Sequence, residues 1–161
     1  MVSAASVLLT VNLLVLPVCA SENSAMPTNS GVASPIEPKS ATEWLKRGVE
    51  QANANNLEGA IASFDRAIAL KLDYATAYYN RGTAYARIGN ARAALADYSQ
   101  VILLKPNNAA ARYSRGSLRA ALGKKEEAIA DFQQAAMLFK QQLNRPWEQK
   151  ALDSVKQLQQ P

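Results

Sequence analysis

The chain has 161 residues, of which 48% are hydrophobic, and carries 18 Lys and Arg against 13 Asp and Glu for a formal net charge of +5. That length accommodates one domain with appendages. Histidine is absent and Cys19 is the one cysteine, which excludes histidine-based triads, neutral-pH proton shuttles and structural zinc.

Residues 1–20 hold no charged side chain, and an apolar run extends from Val7 to Leu16. Val18 and Ala20 put small residues where a signal peptidase reads. Cleavage after Ala20 is therefore the expected outcome, with the mature protein in a periplasm, a lumen or the medium. The segment has no Lys or Arg, and Asn12 interrupts the apolar run, so two alternatives stay open. An uncleaved membrane anchor would rest on about 19 uncharged residues, a marginal span. Lipid attachment at Cys19 would follow Leu16-Pro17-Val18, where a small residue normally precedes the cysteine. Residues 21–40 contain Pro27, Pro35, Pro38 and five serines, with few large apolar groups. Such a segment buries too little surface to order itself and reads as a linker. Removal of Cys19 with the leader leaves no thiol, which is compatible with an oxidising compartment.

Ser40 and Glu43 have the S-x-x-E spacing of a capping box, so the folded part is predicted to begin at about residue 40. From there the sequence echoes itself every 34 residues: Trp44-Leu45-Lys46-Arg47-Gly48, Tyr78-Tyr79-Asn80-Arg81-Gly82, Arg112-Tyr113-Ser114-Arg115-Gly116. Later columns keep the step, as in Phe64, Tyr98 and Phe132. A fixed period of this length marks a solenoid whose units bury their apolar faces against each other. The units are 41–74, 75–108 and 109–142. Gly48, Gly82 and Gly116 lie within helical stretches, where glycine costs about 1 kcal/mol against alanine. The repetition predicts close helix approach there, with Ala60, Ala94 and Ala128 as the opposing small surface. Gly89 and Gly123 are placed to end the first helix of their units in a left-handed residue, and Asn55-Asn56 substitutes in the first. Pro106 stops the second helix of the middle unit. Nothing breaks Met137 to Gln142, so the last of these helices runs on to a loop at 143–145. Pro146 then opens a capping helix over 146–159 within a C-terminal segment, 143–161. Trp147, Ala151, Val155 and Leu158 share its packing side, and Trp147 reads as a packing anchor on the third unit.

In the middle unit Tyr78, Gly82, Tyr85, Ala94, Tyr98 and Pro106 follow an aromatic, small, aromatic, alanine, aromatic, proline pattern, ending in Asn107-Asn108. On these residues the chain resembles the tetratricopeptide-repeat (TPR) family, with three repeats over about two thirds of its length. The resemblance implies an all-α fold, a right-handed α-solenoid of antiparallel helix pairs closed by a seventh helix. It also implies protein binding rather than catalysis. The first repeat departs at Gln51 and Leu72, and the third at Arg112, Arg119 and Lys140.

A step of 100° per residue gathers one face of each unit's first helix. It holds Leu45, Val49, Ala52 and Asn53, then Thr76, Tyr79, Thr83, Ala86 and Arg87, then Ala110, Tyr113, Ser117, Ala120 and Ala121. In the family this face lines a concave groove. Leu45, Asn53, Tyr79, Asn80, Thr83, Arg87, Tyr113 and Ser117 are therefore the expected contacts for a peptide or helix of another protein. Asn80 resembles the position where family members hydrogen-bond a ligand backbone. Tyr79 and Tyr113 have a second reading, packing between neighbouring helices. The family's clamp for a C-terminal carboxylate uses lysines where this chain has Leu45 and Ala110, so that mode is not expected.

Residues 81–125 hold nine Lys or Arg and one acid, Asp97. A basic surface of this kind is the alternative site, for an anionic lipid or nucleic acid; the stretch lacks the aromatic–basic interleaving that stacks single strands. Arg47, Arg81 and Arg115 share one repeat column, while Asp97 and Asp131 lie 16 residues after the last two. This predicts Arg–Asp pairs bridging helices. The glycines form neither a P-loop nor a dinucleotide fingerprint. The closest carboxylates, Glu126, Glu127 and Asp131, read as acids near a helix start. No enzyme, cofactor, metal or small-molecule substrate is expected.

Overall fold

The computed structural model describes residues 38 and 40–160; the expected leader and most of the linker lie outside the described residues. Among the described residues seven helices follow one another: α1 (Ala41–Asn53), α2 (Leu57–Leu70), α3 (Ala75–Arg87), α4 (Ala91–Leu104), α5 (Ala109–Ala121), α6 (Lys125–Gln141) and α7 (Arg145–Gln159). Each packs chiefly on the next in sequence, and α1 also reaches α3. Contacts confined to neighbours in this way make an α-solenoid of helix pairs. None of the described helices is long and apolar enough to cross a membrane.

Side-chain caps start five of the seven described helices. Ser40 Oγ accepts from the Glu43 N–H at 3.2 Å while Glu43 Oε2 accepts from the Ser40 N–H at 3.2 Å, so the expected capping box forms. Four later helices start on an asparagine: Asn56, Asn90, Asn108 and Asn144 cap the backbones of Gly59, Ala93, Ala111 and Trp147. In three of these turns a left-handed residue stands directly before the cap: Asn55 (φ 61°), Gly89 (φ 83°) and Leu143 (φ 56°). Gly123 (φ 74°) occupies the same place before α6. Leu143 is the strained member, since a side chain in that conformation costs about 1–2 kcal/mol. The final loop lies at 142–144, one residue earlier than predicted, because Gln142 already ends α6 and Asn144 caps a helix that includes Arg145.

The repeated glycines do mark close approach, against a different partner from the one expected. A Cβ on Gly48 would lie 2.5 Å from the Phe64 ring. On Gly82 it would meet Asp97 Cβ and the Tyr98 ring at 3.1 Å, and on Gly116 Asp131 Cβ at 3.1 Å and Phe132 at 3.2 Å. The glycines thus admit the aromatic four residues after each alanine. Ala60, Ala94 and Ala128 are themselves fully buried core.

The Arg–Asp column closes as predicted. Arg81 donates from Nε and Nη2 to Asp97 at 2.9 and 2.7 Å, and Arg115 repeats the fork on Asp131 at 2.9 and 2.7 Å. Both carboxylates are buried. Each arginine also reaches back to the preceding unit: Arg81 Nη1 to Asp65 on α2 at 2.5 Å, Arg115 Nη1 to Ser99 on α4 at 3.1 Å. Arg119 adds a third donor to Asp131 at 2.6 Å. In the first unit a neutral pair, Ser63 Oγ to Gln51 Oε1 at 2.6 Å, takes the corresponding place between α1 and α2. The carboxylate bonds raise the Arg81 pKa further above its ordinary value, against the opposing effect of burial.

Removing a buried carboxylate leaves its arginines uncompensated, which costs about 3 kcal/mol. Asp131→Ala is therefore expected to lower the urea-unfolding free energy by that amount. Asp65→Ala, at a half-exposed acid, is expected to cost less than about 1 kcal/mol.

Candidate partner-binding cleft

The small residues on the first helices of the second and third units leave a cleft of about 630 Å³. Tyr79 and Ala86 of α3 and Tyr98 of α4 form one side. Ala110, Tyr113, Ser114, Ser117, Leu118 and Ala121 of α5 form its floor, and Phe139 of α6 with Asn144 and Trp147 closes the far side. Its volume falls within the range of about 300–1,000 Å³ usual for ligand sites.

Ring packing holds the walls. Tyr79 leans on Tyr98 with centroids 5.7 Å apart. Tyr113 lies between Phe132 at 5.1 Å and Trp147 at 5.4 Å, meeting the latter edge-on. Trp147 also contacts Phe139 at 5.8 Å. The hydroxyls are tied down: Tyr79 Oη to Ser114 Oγ at 3.2 Å, Tyr98 Oη to Thr83 Oγ1 at 3.3 Å, and Tyr113 Oη to Ser154 Oγ at 3.5 Å. Burial pushes the Tyr98 phenol up from its ordinary value of 10.0, partly opposed by the Thr83 hydrogen bond. No carboxylate and no guanidinium lines the cleft.

Of the residues anticipated from sequence, Tyr79, Tyr113 and Ser117 come together here. The other five do not. Thr83 stands behind the wall, donating to the Tyr79 carbonyl at 3.0 Å. Arg87 is exposed but committed, with Nη1 on the Ala52 carbonyl at 3.0 Å and Nη2 on Asn55 Oδ1 at 2.9 Å, so it closes the end of α1. Leu45 packs half-buried in the core of the first unit. Asn53 is exposed at the end of α1, and Asn80 is half-buried outside the cleft lining. The two readings of Tyr79 and Tyr113 turn out to be compatible, since both pack on neighbouring rings and still line the space. Sequence reasoning missed Tyr98, Leu118, Phe139 and Asn144 as lining residues. Trp147 does anchor α7 as expected, yet it remains 41% exposed and forms a wall. The legible signal for Tyr98 was a hydroxyl in a column where Phe64 and Phe132 are plain core.

Most cations of the basic stretch are engaged within the fold. Arg81, Arg115, Arg119 and Lys124 have carboxylate partners, and Arg87 and Arg112 donate to backbone carbonyls.

A helical solenoid with an apolar, aromatic-walled cleft defines a class of interaction module built from repeats. Two family descriptions match the sequence, "TPR repeat" over residues 52–89 and "tetratricopeptide repeat" over residues 79–142. The chain belongs to the tetratricopeptide-repeat family. No curated protein matches it. Among solved structures it is similar to the second TPR of Spaghetti (RPAP3) bound to the HSP90 peptide SRMEEVD, at 33% identity and TM-score 0.60, covering 62% of this chain and 93% of that one. It is also similar to the second TPR domain of human RPAP3 in complex with the HSP70 peptide SGPTIEEVD, at 29% identity and TM-score 0.66, covering 75% and 96%. The Arabidopsis OM64 TPR domain is 26% identical with TM-score 0.66, covering 74% and 93%.

A tyrosine whose folded pKa is raised contributes stability that is present below its unfolded pKa and is lost as pH rises through the folded value. For Tyr98 that window opens above pH 10.0. The fall in urea midpoint between about pH 9 and about pH 11 is expected to be smaller in Tyr98→Phe than in the parent.

Proposed function

We propose that this chain is a non-catalytic interaction module, a scaffold or assembly factor, that holds an apolar segment of another protein in the cleft. One observation carries the reading: Tyr79, Tyr113 and Trp147 line a space that the side chains of the described residues do not fill. Tyrosine and tryptophan suit such contacts because they are large, rigid and amphipathic. Peptide-bound TPR domains among the similar structures support the mode. The terminal-carboxylate clamp expected of the family is not part of the proposal, because Leu45 and Ala110 stand at its lysine positions. Nor is the basic surface, since only Arg92, Lys105 and Lys125 of the nine cations in 81–125 lack a polar partner among the described residues.

Cross-linking in the native compartment, with and without Tyr79→Ala plus Tyr113→Ala, tests this reading. Capture of the partner is expected to survive high salt and to fall at least about tenfold in the double variant. Capture that collapses with salt and ignores the tyrosines would overturn it. The proposed setting is an exported protein, on the strength of the uncharged segment 1–20 and the small residues Val18 and Ala20. Its intact mass is expected to correspond to a chain beginning at Ser21; a mass that retains residues 1–20 removes the cleavage proposal.

A further inference from the structure

A cation stacks on two of the rings that line the cleft. Lys150 Nζ lies 4.4 Å from the centroid of Trp147 and 5.6 Å from that of Tyr113, the two rings that form the cleft's wall on α7 and α5. Attraction to the ring faces holds the ammonium in place. Among the described residues no carboxylate pairs with it. The acids nearest in sequence are engaged elsewhere, Glu148 by Arg145 at 3.2 Å and Asp153 by Gln149 at 2.9 Å.

The other walls supply no competing negative charge. Neither α3 nor α5 contains an acidic residue, and the buried Asp97 and Asp131 are forked by Arg81 and Arg115. A carboxylate entering beside these rings meets an exposed ammonium that has no carboxylate partner among the described residues, an attraction of the modest size usual for exposed pairs. An entering lysine or arginine meets like charge. A free chain terminus presents the same carboxylate group as an acidic side chain, and the test below separates the two.

We infer that the cleft selects a partner segment with a large apolar or aromatic anchor and an acidic side chain beside it, Lys150 reading the acid. This rests on the cleft being the partner site, and adds to that reading the chemistry of the partner.

The test selects a displayed library of random peptides on the full chain. The winners are resynthesised as C-terminal amides and titrated by calorimetry. The expected winners carry Phe, Trp, Leu or Met within a few residues of Asp or Glu. Lys150→Gln and the peptide's Glu→Gln each weaken binding about three- to tenfold, and the two changes together cost no more than either alone. Lys150→Glu is expected to favour peptides with Lys in place of Glu. Winners that are apolar without acids, lost in Tyr113→Ala but unmoved by Lys150→Gln, overturn this inference and leave the cleft reading standing. Winners that need a free C-terminal carboxylate also overturn it. A library that yields no peptide sensitive to Tyr79→Ala plus Tyr113→Ala removes the cleft reading and this inference with it.

Discussion

A guanidinium shared between successive second helices holds this solenoid in register. Arg81 reaches Asp97 in its own repeat and Asp65 in the one before; Arg115 does the same with Asp131 and Ser99. Each fork spans three helices at the point where the glycines let them approach most closely. A buried ion pair adds little net stability over an apolar contact of the same volume, whereas one left without its partner is costly. The pair therefore discriminates between registers: a helix slipped by one residue strands a charge, while the small alanines around it would tolerate the slip. The same interaction shapes the surface. By consuming Arg81, Arg115 and Arg119 it takes three guanidinium donors of the basic stretch out of reach of an anionic partner.

The scaffold was readable because its causes are periodic. Gly82, Gly116 and the Arg–Asp columns stand where they do for a reason that recurs every 34 residues, and the Ser40 capping box is legible from its own spacing. Misreadings came where one column serves two ends. The alanines looked like the natural partners of the glycines by size, but the aromatic one turn further on occupies that space. Asn56, read as part of a turn, caps α2, just as Asn90, Asn108 and Asn144 cap the helices that follow them.

The cleft was only half legible. Helical periodicity finds side chains that share a face of one helix, so it placed Tyr79, Tyr113 and Ser117 correctly on the inner surface. It carries no information on which face residues are spent elsewhere, as Arg87 is on the end of α1. Nor does it reveal what a helix outside the repeat brings in. Phe139 enters because α6 runs three residues longer than α4, and Trp147 because α7 turns it back across that extension.

The far wall of the cleft thus belongs to the terminal element of a one-dimensional stack. α7 rests on α6, touches α5 through Tyr113, and has no helix beyond it among the described residues. Ends of such stacks open locally at a smaller free-energy cost than their interiors. On the proposed reading, occupancy of the cleft is coupled to fraying: a ligand held against Trp147 slows amide hydrogen exchange throughout α7, and a change that loosens that last helix weakens binding without touching the ligand. The Leu143 turn, strained and 83% exposed, is the connection through which α7 joins the rest of the stack.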